Sequence, residues 1–216
     1  MVALRILVAL MLVVQAAWAA GPRFASEIEA FEASDKANPP PTNAILFVGS
    51  SSIRKWTSLA RDFPDHRVIN RGFGGSEISD SVYYFDRIVK PYHPRIIVFF
   101  AGSNDINGGK TPEQVFEDFK AFAGKVRDEL PGTRLGYISI STSPSRWKQH
   151  EKVIEANRLI QDYIDKDSQC AFINVYPAML GSDGKPNSNI YVLDRLHMNA
   201  KGYAIWRSII APYLDK

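Results

Sequence analysis

The sequence predicts an α/β protein with a three-layer, doubly wound architecture around a parallel sheet of about five strands. Short apolar runs alternate along the chain with longer segments of helical periodicity. The runs are continuously apolar rather than alternating, which is typical of strands buried on both faces. Regular strand–helix alternation then places helices on both faces of a parallel sheet.

The apolar runs define five predicted strands, which are Ala44–Val48, Arg67–Asn70, Arg95–Phe100, Arg134–Ile140 and Ala171–Val175. The predicted helices are Phe24–Ala33, Ser52–Ala60, Ile78–Val89, Pro112–Glu129, His150–Asp165 and Ala200–Tyr213. The helix from Pro112 has the clearest boundaries, because Thr111 is a good N-cap and proline suits the first helical position. Pro131-Gly132 ends the same helix. The expected fold is flavodoxin-like.

The first nineteen residues have the features of a secretory signal peptide. Arg5 gives a short positive start, Ile6–Ala16 is almost wholly apolar, and Ala17-Trp18-Ala19 has the small-x-small pattern of a cleavage site. The alternative is a transmembrane anchor, but the run is shorter than the ~20 apolar residues that a span needs. We therefore expect export to the periplasm or the exterior, with no stable membrane anchor after cleavage.

The rest of the chain divides into a lead-in and one domain. Residues 20–43 contain the first predicted helix and the extended Pro39-Pro40-Pro41, and residues 44–216 are long enough for one full core. A net charge of +3 without a Lys/Arg block does not favour a nucleic-acid partner. Cys170 is the only cysteine, so no internal disulfide forms, and we interpret it as a buried structural thiol.

Two segments far apart in the chain supply the parts of an activated serine. Gly49-Ser50-Ser51-Ser52 follows the first strand, and Asp194-Arg195-Leu196-His197 precedes the last helix. A hydroxyl becomes a good nucleophile when a base takes its proton, and an imidazole serves best when a carboxylate fixes its tautomer. The alternatives are that the serines only cap a helix and that Asp194 and His197 form a surface ion pair.

Two further segments offer N–H donors to a developing oxyanion. Gly74-Gly75 follows the second strand, where a glycine pair lets the backbone approach a ligand closely. Asn104, after the third strand, carries a side-chain amide that suits an oxyanion hole. Both segments also fit ordinary turns. Because the carboxyl ends of parallel strands share one edge of a sheet, we expect Ser51, Gly75 and Asn104 to gather there.

Together the four segments resemble the SGNH, or GDSL-type, hydrolase family over roughly Ala44 to Tyr213. The resemblance implies that Ser51 is the nucleophile and that Asp194 and His197 complete a catalytic triad. It also implies an oxyanion hole formed by the backbone N–H groups of Ser51 and Gly75 and the side chain of Asn104. The chain departs from the family's Gly-Asp-Ser-Leu pattern, with Ser50 in place of Asp, which leaves Ser52 as the alternative register.

The resemblance implies a serine esterase that needs no metal and no cofactor. The sequence contains no His-Glu-x-x-His, no paired cysteines and no dense carboxylate loop. Short connections leave little room for a lid or an acyl tunnel, so we expect short acyl groups, such as acetyl esters of small carbohydrates or polysaccharides. Alternatives are a lysophospholipase, a thioesterase and a non-catalytic carbohydrate-binding protein. The aromatic candidates for a substrate cleft, which are more often core residues, are Trp56, Trp147 and Tyr191.

Overall fold

A computed structural model of the chain describes residues 23–215. Its centre is a parallel five-stranded sheet with the spatial order β2-β1-β3-β4-β5. The strands are β1 (Ile45–Gly49), β2 (Val68–Gly72), β3 (Ile96–Phe100), β4 (Arg134–Ile138) and β5 (Cys170–Ile173). Helices cover both faces, so the predicted doubly wound fold is confirmed. The predicted signal peptide lies outside the described residues.

Both faces of the sheet are buried, which explains why the strands are continuously apolar. In β1, Leu46 and Val48 belong to one core cluster, whereas Ile45 and Phe47 belong to the cluster on the opposite face. All four side chains are fully buried. Alternate residues of a strand point to opposite faces, so a strand between two helical layers needs apolar residues at every position.

Helices pack on the two faces in unequal numbers. The α-helices of the described chain are α1 (Ala25–Ala37), α2 (Ser51–Arg54), α3 (Leu59–Asp62), α4 (Ile78–Tyr83), α5 (Phe85–Ile88), α6 (Ser103–Asn107), α7 (Pro112–Glu129), α8 (His150–Ile164) and α9 (Ala200–Leu214). Short 3₁₀ segments occupy Lys90–Tyr92, Pro144–Gln149, Pro177–Met179 and Ser188–Ile190. Buried residues of α2, α3 and α9 share one cluster, and those of α1 and α4 to α8 share the other.

The predicted helix Ser52–Ala60 is wrong as a single element, because α2 and α3 are separate. Between them Trp56 turns into the core, where it is 1% exposed. Its indole contacts the rings of Phe47 and Tyr203, at centroid distances of 5.8 and 5.1 Å. Burying this side chain against β1 and α9 takes the backbone out of a continuous helix. The segment Ile78–Val89 is likewise divided, into α4 and α5, at the buried Tyr84.

The first helix extends further than predicted and packs on the main core. It runs to Ala37 instead of Ala33, and Ile28 is fully buried in the cluster that contains α4, α5 and α7. Arg87 forms a two-pronged ion pair with Glu32 of α1, with both contacts at 2.6 Å. None of the helices within residues 23–215 combines the length and the apolar content needed to cross a membrane.

Candidate active site

The candidate site lies at the carboxyl ends of β1 and β3, two neighbouring strands in the centre of the sheet. α2 follows β1 and α6 follows β3, so the chain leaves these two strands in different directions. Open α/β sheets bind their ligands in the crevice that such a switch in strand order creates. Ser51 is the first residue of α2, and Asn104 is the second residue of α6. The fold itself therefore brings these two residues to one edge.

Gly49 sets the position of Ser51 at the end of β1. Its φ is +136°, and a Cβ at this position would lie 1.9 Å from the carbonyl oxygen of Phe100 on the neighbouring strand. The N–H of Ser50 donates to that same oxygen at 2.9 Å. Only glycine permits so close an approach. The contact fixes where α2 begins and therefore where the hydroxyl of Ser51 lies.

A chain of hydrogen bonds links Ser51 to the distant Asp194. The Oγ atom of Ser51 lies 3.0 Å from Nε2 of His197, and Nδ1 of His197 lies 2.6 Å from Oδ2 of Asp194. The neighbouring Ser52 instead contributes its backbone carbonyl, which accepts from the Tyr203 hydroxyl at 2.9 Å. The arrangement can therefore place a base beside Ser51 and a carboxylate behind that base.

Local backbone contacts hold the Asp194 carboxylate in its turn. Oδ1 accepts from the backbone N–H groups of Leu196 and His197, both at 2.9 Å. These hydrogen bonds hold the pKa of Asp194 well below its usual range, and the bond with the His197 side chain contributes most. A charged Asp194 favours the tautomer of His197 that carries its proton on Nδ1, which leaves Nε2 to face Ser51. The turn includes Arg195 in a left-handed conformation, with a φ of +57°.

Asn104 presents an amide to the same cleft. Its Nδ2 donates to the Ser76 carbonyl at 2.9 Å, and its Oδ1 accepts from Nη2 of Arg146 at 2.9 Å. An amide nitrogen carries two hydrogens, so one donor remains for a ligand. The N–H of Ser51 is a second available donor, because the first N–H groups of a helix have no partner within that helix.

Gly75, the third predicted oxyanion donor, directly precedes Ser76, whose carbonyl accepts from Asn104. It follows β2 with a φ of +80°, and its carbonyl accepts from Nη2 of Arg23 at 2.8 Å. Within residues 23–215 its N–H has no hydrogen-bond partner, which leaves it available to a ligand. Gly75 is thus one residue away from the group that the Asn104 amide contacts.

A small cavity adjoins these groups, and we call it the site cavity. Its volume is about 40 Å³. Its lining consists of Ser50, Ser51, Ser52, Phe100, Ser103, Asn104, Ser141, Ser143, Arg146, Met179, Tyr191, Leu196, His197, Met198 and Trp206. The wall is therefore mixed, with serine hydroxyls and a guanidinium on one hand and apolar side chains on the other. Two atoms of this lining, Ser141 Oγ and Trp206 Nε1, are buried without a hydrogen-bond partner within the described residues.

The three aromatic candidates have three different environments. Trp56 is a core residue, as described above. Trp147 stacks on the imidazole of His150, at a centroid distance of 4.2 Å, and is absent from the lining of the site cavity. Tyr191 does line the cavity, and it is 8% exposed with its hydroxyl 3.4 Å from the Thr142 carbonyl oxygen. Burial raises the pKa of Tyr191, so it stays a neutral phenol.

Arg146 is the site residue that the sequence did not indicate. It lies in the 3₁₀ segment Pro144–Gln149 and donates from Nη1 to Ser103 Oγ at 2.8 Å, in addition to its bond with Asn104. No motif marks this arginine, because its partners lie some forty residues earlier in the chain. Elsewhere, the described residues contain no cluster of three His, Cys, Asp or Glu side chains that could hold a metal ion.

Asp105, the residue after Asn104, has a structural role. It is fully buried in α6, where its carboxylate accepts from the Ile78 N–H and from Lys110 Nζ, both at 3.1 Å. Burial raises the pKa of Asp105, and the ion pair with Lys110 opposes that rise. The contact ties α6 to the start of α4. Cys170, predicted to be buried, is only partly so, and burial raises the pKa of its thiol to about 12.

Solved structures with the same fold include three of interest. A GDSL-like lipase from Bacteroides thetaiotaomicron VPI-5482 is 20% identical with a TM-score of 0.76, over 88% of this chain and 98% of its own. A carbohydrate esterase family 3 protein from Talaromyces cellulolyticus is 16% identical with a TM-score of 0.64, over 79% and 95%. An acetyl-xylooligosaccharide esterase from Geobacillus Stearmophilus is 12% identical with a TM-score of 0.63, over 78% and 93%. At these identities the likeness shows the fold.

The family assignment comes from the sequence. Among proteins with curated descriptions, none matches the chain at a significant level. The sequence model of the GDSL-like Lipase/Acylhydrolase family matches residues 45–205, which run from the start of β1 into α9 and include Ser51, Gly75, Asn104, Asp194 and His197. The predicted resemblance is thereby confirmed: the chain belongs to the GDSL-like lipase/acylhydrolase family and is a hydrolase that acts on esters.

Proposed function

We propose that this hydrolase is an exported serine esterase that works through an acyl-enzyme and removes short acyl groups, such as acetyl, from carbohydrates. The observation that carries the proposal is the continuous hydrogen-bond chain from Ser51 through His197 to Asp194. A hydroxyl, a base and a charged carboxylate in this order are the requirements for nucleophilic attack on an ester carbonyl.

In the first half-reaction, Ser51 Oγ attacks the ester carbonyl while His197 Nε2 takes the hydroxyl proton. Asp194 stabilises the imidazolium that forms, because its carboxylate remains charged beside Nδ1. The carbonyl oxygen becomes negative and accepts from the Ser51 N–H, the Gly75 N–H and the free Asn104 Nδ2–H. His197 then returns the proton to the departing alcohol, and the acyl group stays on Ser51.

In the second half-reaction, water attacks the acyl-enzyme. His197 again acts as the base, and the same donors hold the oxyanion. When this intermediate collapses, the bond between the acyl carbon and Ser51 Oγ breaks, His197 returns the proton to Ser51, and the carboxylic acid leaves. The backbone donors need no reorganisation at the moment of reaction, which is why such groups stabilise a transition state better than water does.

The size of the site cavity supports a short acyl group. A volume of about 40 Å³ exceeds the roughly 10–15 Å³ that one water molecule needs, which leaves room for a small group. The apolar side chains of Met179, Met198 and Trp206 suit a methyl group. The carbohydrate and acetyl-xylooligosaccharide esterases among the structural neighbours make a sugar acetate the first substrate to test.

The experiment is a chain-length series of p-nitrophenyl esters, from acetate to octanoate, set beside acetylated xylan. We expect kcat/KM to be highest for acetate, an initial burst of p-nitrophenol from the acyl-enzyme, and release of acetate from the polysaccharide. Highest activity on octanoate or on a lysophospholipid would replace the short-acyl assignment by a lysophospholipase or thioesterase. Binding of xylan without any turnover would instead indicate a carbohydrate-binding protein on this fold.

The export part of the proposal rests on residues 1–19 and has its own test. The full chain with a C-terminal tag is expressed in a bacterial host, and its mature N-terminus is sequenced. We expect the protein outside the cytoplasm with Ala20 at its N-terminus. A protein that retains Met1 or the apolar segment in the cytoplasmic fraction would contradict export.

A further inference from the structure

Arg146 introduces a positive charge into the site cavity without a carboxylate to neutralise it. The side chain is half-buried, and within residues 23–215 no Asp or Glu lies within ion-pair distance of it. Its two hydrogen-bond acceptors are both neutral, namely Ser103 Oγ at 2.8 Å and Asn104 Oδ1 at 2.9 Å. Burial lowers the pKa of Arg146, yet a guanidinium stays protonated at any pH at which the protein is folded.

The bond from Arg146 and the bond to the Ser76 carbonyl together determine which way the Asn104 amide faces. A carboxamide can rotate by half a turn and exchange its oxygen and nitrogen. Here the oxygen faces a guanidinium, which can only donate, and the nitrogen faces the Ser76 carbonyl, which can only accept. A rotated amide would oppose donor to donor and acceptor to acceptor. The network therefore permits one orientation of Asn104, and that orientation keeps a spare N–H on the nitrogen.

The charge also acts along the amide. A cation at the oxygen end draws electron density from the nitrogen, so the remaining N–H becomes a stronger donor. Hydrogen bonds that involve one charged partner are roughly twice as strong as those between neutral groups. The effect grows as negative charge develops on a substrate oxygen, so it favours the transition state over bound substrate.

The segment that carries Arg146 also contacts the other half of the candidate site. The Ser145 N–H donates to the Arg195 carbonyl at 3.1 Å, inside the turn between Asp194 and His197. Gln149 Nε2 donates to Asn107 Oδ1 at 2.9 Å, at the end of α6. The 3₁₀ segment thus binds both α6 and the histidine turn, which fixes the base of the Arg146 side chain relative to Asn104.

We propose that Arg146 is a positioning residue for the oxyanion hole, where it holds the Asn104 amide in its donating orientation and strengthens its free N–H. The proposal rests on the proposed function, because it assigns the oxyanion to Asn104. It differs from a substrate-binding role, since Arg146 acts through Asn104 and not through a charge on the substrate.

The test is a double-mutant cycle with p-nitrophenyl acetate, using wild type, Arg146→Met, Asn104→Ala and the double variant. We expect Asn104→Ala to lower kcat by about 10²–10³-fold. Arg146→Met should lower kcat by about 10–100-fold, with KM changed less than about threefold, since it weakens the donor without removing it. In the Asn104→Ala background, Arg146→Met should cost less than about threefold, because its target is gone.

Two further variants distinguish positioning of Asn104 from a folding defect and from a general effect of positive charge. Arg146→Lys keeps a charged donor and should recover part of the lost kcat, although a single ammonium cannot reproduce both guanidinium contacts. Lys148→Met removes an exposed positive charge from the same 3₁₀ segment and should retain wild-type kcat. Circular dichroism and Tm of each variant establish that it is folded. Equal loss of kcat in the two backgrounds would overturn the proposal.

The rival role for an unpaired arginine is recognition of an anionic substrate, and a second ester distinguishes it. The four proteins of the cycle are assayed with p-nitrophenyl hemisuccinate, whose acyl group carries a carboxylate. We expect the same loss of kcat as with the acetate. A rise in KM confined to the hemisuccinate would overturn positioning in favour of anion binding. A wild-type protein inactive on every ester would refute the proposed function, whereas an active protein with a wild-type-like Arg146→Met would refute only this inference.

Discussion

The two halves of the candidate site are held in different ways. Ser51 comes two residues after Gly49, the last residue of the buried strand β1. Gly49 lies against the Phe100 carbonyl oxygen, and the Ser50 N–H donates a hydrogen bond to the same oxygen. His197 lies in an irregular turn, where Asp194 is 45% exposed and Leu193 is fully exposed. Core packing positions the nucleophile, whereas the base is positioned by hydrogen bonds that the Asp194 carboxylate accepts from nearby backbone N–H groups.

Because of this difference, we expect variants of the two halves to differ in whether they lose stability or activity. A change near Ser51 that alters the backbone disturbs contacts between β1 and β3 and should destabilise the protein. A change in the histidine turn removes bonds that are local and partly exposed, which contribute little to global stability. Substitutions on the two sides should therefore be distinguishable by comparing Tm with kcat.

The largest expected effect is at the nucleophile itself. Ser51→Ala removes the attacking oxygen while keeping the backbone, so kcat on p-nitrophenyl acetate should fall by about 10³-fold or more with little change in Tm. Ser52→Ala is the matched control and should keep most of the activity, because its hydroxyl is not the one bonded to His197. An inactive Ser52→Ala beside an active Ser51→Ala would move the nucleophile by one residue.

The next effect is at the carboxylate of the turn. Asp194→Asn keeps the size of the side chain but removes the charge and favours the wrong tautomer of His197, so kcat/KM should fall between about 10-fold and 10⁴-fold. The measurement is kcat/KM against pH, in which the wild type should show a single ionisation on the acid limb because His197 must be neutral. Asp183→Asn, in a separate exposed turn, should behave like wild type. A folded Asp194→Asn with full activity at every pH would reduce the pair to a surface contact.

On the Ser51 side of the site, a backbone change should lower stability more than it lowers activity. Gly49→Ala places a Cβ against the Phe100 carbonyl at a φ that L-residues avoid, so the free energy of unfolding should fall by about 2–4 kcal/mol. Gly132→Ala has a positive φ but open space around the new Cβ, and should cost only about 1 kcal/mol. Chemical denaturation gives both values. Equal losses would mean that the φ angle alone matters and that the contact with β3 does not position Ser51.

The smallest effect concerns the acid stability of the turn. The pKa of Asp194 is lower in the folded protein than in the unfolded chain, so its contribution to stability is present above its ordinary pKa of about 3.9 and disappears as pH falls below it. Because the carboxylate is nearly half exposed, we expect less than about 1 kcal/mol. Tm of Asp194→Asn should therefore fall slightly less than that of wild type between pH 5 and about pH 3. A steeper fall in the variant would contradict this assignment.

Much of the fold followed from the sequence because its signals are local. All five strands were predicted within a few residues, since burial on both faces demands uninterrupted apolar runs. The helix Pro112–Glu129 was predicted with its observed ends, because the Thr111 cap and the proline at the first position act within one turn. The sequence did not predict that α2 and α3, or α4 and α5, are separate helices. The breaks occur at Trp56 and Tyr84, whose side chains are buried against segments from other parts of the chain.

For the site, the sequence by itself determined the chemical parts. Ser51, Asn104, Asp194 and His197 each stand in a short motif at a predicted strand end or before a predicted helix, and the topology of a parallel sheet implies a common edge. Only the tertiary structure decided which hydroxyl His197 reaches, that the Ser76 carbonyl meets the Asn104 amide, and that Arg146 reaches Asn104. Motifs record local spacing, whereas hydrogen bonds between distant segments depend on how the connecting loops close over the sheet.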